Sequence, residues 1–94
     1  MNVLVIAEHN GGLINVSTSK TLSCVSDLSS QQTDLLVLGN NSELATQAAL
    51  FQNVNSVLYL EDQRFDHQVA AVMSPVIAHL ATEYDCVLCP STTF

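Results

Sequence analysis

Val3-Leu4-Val5-Ile6-Ala7, followed by Glu8-His9-Asn10-Gly11-Gly12, is the stretch on which the fold turns. Five apolar residues in a row, mostly β-branched, describe a strand covered on both faces. A half-solvated strand would alternate instead. Polar residues and two glycines then end it, and the glycines predict a turn with positive φ. The same grammar recurs downstream. Asp34 opens Leu35-Leu36-Val37-Leu38-Gly39, Val54 to Leu60 forms a third run, and Asp85-Cys86-Val87-Leu88-Cys89 a fourth.

Helical spacing fills the gaps between these runs. Leu22, Val25 and Leu28 recur three apart, predicting a helix over about 16–29 with Asn15 as its N-cap. Ser42 reads as the cap of an Ala-rich helix from Glu43 to Phe51, with Glu43 suited to the helix dipole. Val69, Val72, Met73, Val76, Ile77 and Leu80 form the clearest amphipathic stripe. Pro75 falls inside that stripe and predicts a kink or break near residues 71–75.

Strands alternating with helices imply right-handed βαβ units and a parallel sheet with helices on both faces. The expected architecture is α/β, a three-layer doubly wound, Rossmann-like sheet of strand order 3-2-1-4. No helix follows the fourth run in the sequence, so the sheet reads as incomplete at its carboxy end, a partial domain over residues 1–94.

Composition narrows the function. The chain has 94 residues, 48% of them apolar, with two basic and nine acidic residues and a net charge of −7. Lys20 and Arg64 cannot neutralise a run of phosphates, which excludes sequence-independent nucleic-acid binding. An anionic membrane surface is an equally poor partner. No apolar run approaches the twenty residues of a membrane span. Met1-Asn2 leads directly into the first strand, leaving no room for a signal or an Arg-rich transit peptide. A bacterial cytoplasm is therefore expected rather than a mitochondrial matrix, and Cys24, Cys86 and Cys89 read as free thiols.

In such sheets ligands bind where the strand order reverses, at the carboxyl ends of the strands. Order 3-2-1-4 places that crevice between strands one and four. Its candidate residues are Ala7, Glu8, His9, Gly11 and Gly12 on one side, and Cys89, Ser91, Thr92 and Thr93 on the other. A small nucleotide-binding module would use it, although Gly11-Gly12 lacks a dinucleotide fingerprint and there is no P-loop lysine. His9 beside Glu8 offers an acid/base pair, but reads more simply as a solvated loop residue. His67 and His79 lie about 18 Å apart along one helix and cannot share a metal. Cys86-Val87-Leu88-Cys89 is a C-x-x-C, which would suit a thiol redox protein at a helix start. Within a strand its two thiols face opposite ways. Glu61, Asp62 and Asp66 cluster around Arg64 as a solvated loop, or as a face toward a basic partner.

Four stretches carry a family resemblance. Val3-Leu4-Val5-Ile6-Ala7-Glu8-His9 with its Gly turn and Leu13, Asp66-His67-Gln68-Val69-Ala70, Tyr84-Asp85-Cys86-Val87-Leu88 and Pro90-Ser91-Thr92-Thr93-Phe94 together resemble the amino-terminal domain of the electron transfer flavoprotein alpha subunit. In that family the last stretch reads Pro-Ala-Thr-Thr-Phe and runs on into Gly-Lys. Ser91 replaces the Ala, Val16 stands where Pro is frequent, and Pro75 interrupts the third helix. The resemblance implies an electron carrier rather than an enzyme. It implies FAD held mainly by a carboxy-terminal domain that these residues do not include, so this chain alone is expected to bind none. It implies pairing with a beta subunit. Electrons would pass from dehydrogenases, such as acyl-CoA dehydrogenases of fatty acid β-oxidation, to a quinone-linked oxidoreductase. The amino-terminal domain is implied to be structural, and the beta subunit's AMP site has no matching residues here.

Overall fold

A computed structural model describes residues 2–26, 32–52, 54–65 and 70–89. Four parallel strands form one sheet: β1 (Asn2–Ile6), β2 (Gln32–Gly39), β3 (Ser56–Glu61) and β4 (Cys86–Leu88), in the order β3-β2-β1-β4. Between them run α1 (Val16–Ser26), α2 (Ser42–Ala49), a short 3-10 turn (Gln63–Phe65) and α3 (Ala70–Ala81). The expected order and class are those observed.

Alternation along each strand divides the core into two layers. Val3, Val5, Ala7, Leu35 and Val37 point to one face, where Leu22 and Val25 of α1 and Leu44 and Ala48 of α2 cover them. Leu4, Ile6, Leu36 and Leu38 point to the other, under Phe65 and Met73. Val72, Val76, Ile77 and Leu80 of α3 pack against that second layer, as their spacing requires. Leu28 and Val69 lie outside the described residues. Each fully buried Leu, Ile or Val contributes about 1.5–3 kcal/mol relative to exposure, which explains why β1 and β2 are apolar on both faces.

Several boundaries differ from the sequence reading. β2 begins at Gln32, earlier than the apolar run. Asn55 Oδ1 accepts from Thr33 N at 2.8 Å and Asn55 N donates to Thr33 O at 2.7 Å, so the backbone ladder extends through polar residues. Asp85 and Asn2 make the equivalent exchange at the start of β4, at 2.8 and 2.9 Å. The cap of α2 is Asn41 rather than Ser42. Asn41 is extended (φ −147, ψ 115) and its side chain accepts from Glu43 N, leaving Ser42 as the first helical residue.

Pro75 does not break α3, which is continuous from Ala70 to Ala81. Both Pro75 and Ala71, whose carbonyl loses its helical partner, are exposed. Water can satisfy that carbonyl.

Candidate functional site

The order of the sheet reverses between β1 and β4, because α1 and α2 lie on one face and α3 on the other. The carboxyl end of β1 is therefore where a ligand crevice belongs in this architecture. Ala7 N still donates to Leu36 O at 2.9 Å, so strand geometry holds up to the start of the loop.

Beyond Ala7 the loop is tied down by its own polar groups. Glu8 N donates to Thr18 Oγ1 at 3.0 Å, and Ser17 Oγ donates to Glu8 Oε2 at 2.9 Å. Asn15 N donates to Glu8 O at 2.7 Å. Thus Glu8 holds the first turn of α1 against the end of β1. Asn15 caps α1 as expected, accepting from Ser17 N at 2.9 Å.

His9 is not the solvated residue its sequence position suggested. It is 7% exposed. Its Nε2 lies 2.5 Å from Leu38 O, and its Nδ1 accepts from Gly11 N at 2.9 Å. Those partners require the proton on Nε2. The ring therefore staples the end of β1 to the end of β2 and aims no free nitrogen at the crevice.

Gly11 takes the positive φ that the turn demands, at 101°, whereas Gly12 does not. Asn10 Oδ1 accepts from both Gly12 N and Leu13 N, at 3.1 and 2.9 Å. Gln47 of α2 then locks the loop from outside. Its Oε1 accepts from Ile14 N at 2.9 Å, and its Nε2 donates to Gly12 O at 2.8 Å. Asn10 N donates to Leu13 O, and Thr18 N to Asn15 O. From Asn10 to Thr18, every backbone N–H except that of Val16 donates inside the protein.

A phosphate-binding loop works in the opposite way, leaving its N–H groups to converge on the anion. Here they are used, and the Glu8 carboxylate sits at the start of α1. These residues do not fit the pyrophosphate of a flavin dinucleotide. On the opposite wall, Cys89 is described, while Ser91, Thr92 and Thr93 lie outside the described residues.

The side chains of β4 alternate. Cys86 and Leu88 pack with the α1/α2 layer, and Val87 with the α3 layer. Cys89 lies beyond β4, beside a shallow groove of about 330 Å³ that Ser17, Lys20, Thr21, Cys24 and Leu88 also line. Burial pushes its thiol above the ordinary value, the reverse of an activated cysteine. Among the described residues no three His, Cys, Asp or Glu side chains cluster to hold a metal. His79 is exposed on α3, and His67 lies outside the described residues.

The acidic loop after β3 resolves into two pairs. Arg64 meets Asp62 through Nη2 at 3.0 Å and Nε at 3.1 Å, and its hydrogen bonds hold the Asp62 carboxyl below its usual range. Tyr59 Oη donates to Glu61 Oε1 at 2.9 Å; burial first, and then that carboxylate, raise the tyrosine's pKa. Asp66 lies outside the described residues.

Two comparisons bear on this arrangement. The model of the electron transfer flavoprotein domain matches residues 3–94. The chain belongs to the electron transfer flavoprotein domain family. It is also 34% identical over 94 residues to the electron transfer flavoprotein subunit alpha of Pseudomonas aeruginosa, covering 99% of this chain and 30% of that protein. The chain thus spans about a third of that relative's length. No helix among its described residues is long and apolar enough to cross a membrane.

One cluster has almost no signature in the sequence. Asp34, 5% exposed, accepts from Tyr84 Oη at 2.6 Å and from Gln32 Nε2 at 3.1 Å. It lies at the amino end of the sheet, opposite the candidate crevice. An acidic residue opening an apolar strand was its one sequence signal; nothing pointed to a tyrosine 50 residues later.

Proposed function

We propose that this chain is the amino-terminal segment of an electron transfer flavoprotein alpha subunit, acting as a scaffold for pairing with a beta subunit and performing no chemistry itself. The carrier would work in a bacterial cytoplasm. It would take electrons from dehydrogenases, such as acyl-CoA dehydrogenases, and pass them through FAD to a quinone-linked oxidoreductase. The flavin would be held by residues that this chain does not contain.

The match over residues 3–94 supports the family. The observation that carries the scaffold role is the loop from Asn10 to Thr18, whose donors are spent on holding β1, α1 and α2 together. Rigid loops of this kind suit packing against another protein better than closing on a small anion.

Purified chain mixed with FAD and then desalted tests the reading. The expected outcome is no flavin absorbance; a stoichiometric flavin spectrum overturns it. Titration with AMP and ATP, read as a thermal midpoint, should leave the midpoint unmoved. A concentration-dependent rise would instead establish a nucleotide module using Ala7 to Gly12 and Cys89.

A further inference from the structure

Leu13 and Val16 are 65% and 66% exposed, although each adjoins the most heavily tied segment of the chain. Leu13 stands on the loop pinned by Asn10 and Gln47, and Val16 is the first residue of α1. Exposed apolar side chains on a rigid platform lose little entropy when a partner covers them. Leu60, 42% exposed at the end of β3, lies at the same end of the sheet.

Charge at this end is mostly acidic, the exception being Lys20, one turn past Val16 on α1 and beside Ser17 and Cys89. Glu8 follows β1, Glu43 opens α2, and Glu61 and Asp62 end β3, so all four lie at the carboxyl ends of the parallel strands. Arg64, in the turn that follows, is held by Asp62. The chain as a whole carries −7. A second copy would bring like charge to like charge, and an anionic lipid surface would be repelled. A protein face with an apolar centre and a Lys/Arg rim is complementary in both respects.

We propose that the carboxyl-end rim of the sheet, centred on Leu13 and Val16 and ringed by Glu8, Glu43, Glu61 and Asp62, docks a basic, apolar-centred face of the beta subunit. This rests on the heterodimer reading above. Leu13 and Val16 are the anchors, and the carboxylates steer the approach.

The test is affinity between the purified 94-residue chain and purified electron transfer flavoprotein beta subunit, measured by titration calorimetry and by surface-immobilised kinetics. Leu13→Glu and Val16→Glu should each weaken binding about tenfold or more, as truncated anchors do. Leu50→Glu is the control: Leu50 is 80% exposed at the C-cap of α2, at the far end of the sheet. It should leave affinity within about twofold. Raising the salt from about 0.05 to about 0.5 M should slow association about tenfold or more. Thermal midpoints of the three variants verify that each is folded. If Leu13→Glu and Val16→Glu bind like Leu50→Glu, or association ignores salt, the docking face is overturned while the heterodimer stands. If the unaltered chain fails to bind the beta subunit, both fall.

Discussion

Tyr84 donates its hydroxyl to Asp34 Oδ2 at 2.6 Å, joining the segment after α3 to the amino end of β2 across 50 residues of sequence. Asp34 is buried among Leu4, Leu36 and the α3 layer, where an unsatisfied carboxyl oxygen would be expensive. Tyr84→Phe removes the donor and keeps the ring. The expected loss is about 1–2 kcal/mol of unfolding free energy, read as a lower urea midpoint at unchanged slope.

The same contact makes stability depend on alkaline pH. Burial, then the Asp34 hydrogen bond, push the Tyr84 pKa from 10.0 up to about 12. The folded state therefore holds this proton in a pH range where the unfolded chain has released it. The contribution is complete below pH 10 and is lost as pH rises toward about 12. Urea midpoints measured across that window should fall with pH, and fall less steeply in Tyr84→Phe. Parallel pH profiles for the two proteins would show that Tyr84 is not the group responsible.

Gly39 ends β2 in close contact with α2. A Cβ built there would lie 2.6 Å from Leu44 Cδ1, and Leu44 is fully buried, so its side chain must shift within the core. Gly39→Ala should cost about 1–3 kcal/mol through overpacking. Gly12→Ala is the contrasting case, since nothing lies within 4 Å and its φ is not positive. There the substitution should stabilise by about 0.4–1 kcal/mol by restricting the unfolded chain. Thermal or urea unfolding of the two variants checks both signs.

The contrast shows how far the sequence alone could be read. Gly39 and Gly12 are both glycines after a strand, and no local pattern separates them; only the approach of Leu44 does. Val3–Ala7 and Leu35–Gly39 were legible because a strand buried on both faces leaves a continuous apolar run. The α3 stripe was legible because its spacing is helical, and strand order followed from the connection rules. Pro75 does not end α3, because it and the Ala71 carbonyl it deprives of a donor are both exposed, which local sequence does not reveal. His9 misled because a polar residue after a strand reads as solvated until the carbonyl of Leu38 is known to lie beside it. The candidate crevice followed from topology, whereas the consumption of its N–H groups depends on Asn10, Gln47 and Asn15, side chains that look interchangeable with other loop polars.

The three thiols should separate cleanly in reactivity. Cys24 is exposed on α1, Cys86 is half-buried against the α1/α2 layer, and Cys89 has its thiol pushed up by burial. The thiolate is the nucleophile, so a raised pKa slows alkylation at neutral pH. Iodoacetamide should label Cys24 first and Cys86 last, with Cys89 trailing Cys24, as followed by peptide mass spectrometry over time. Cys86 packs into the α1/α2 layer whereas Cys89 lies beyond β4 beside the α1 groove, so mild oxidation should yield no disulfide between them. Rapid labelling of Cys89 ahead of Cys24, or a Cys86–Cys89 disulfide in the map, would revive the C-x-x-C as a working redox pair and would contradict a purely structural role for this segment.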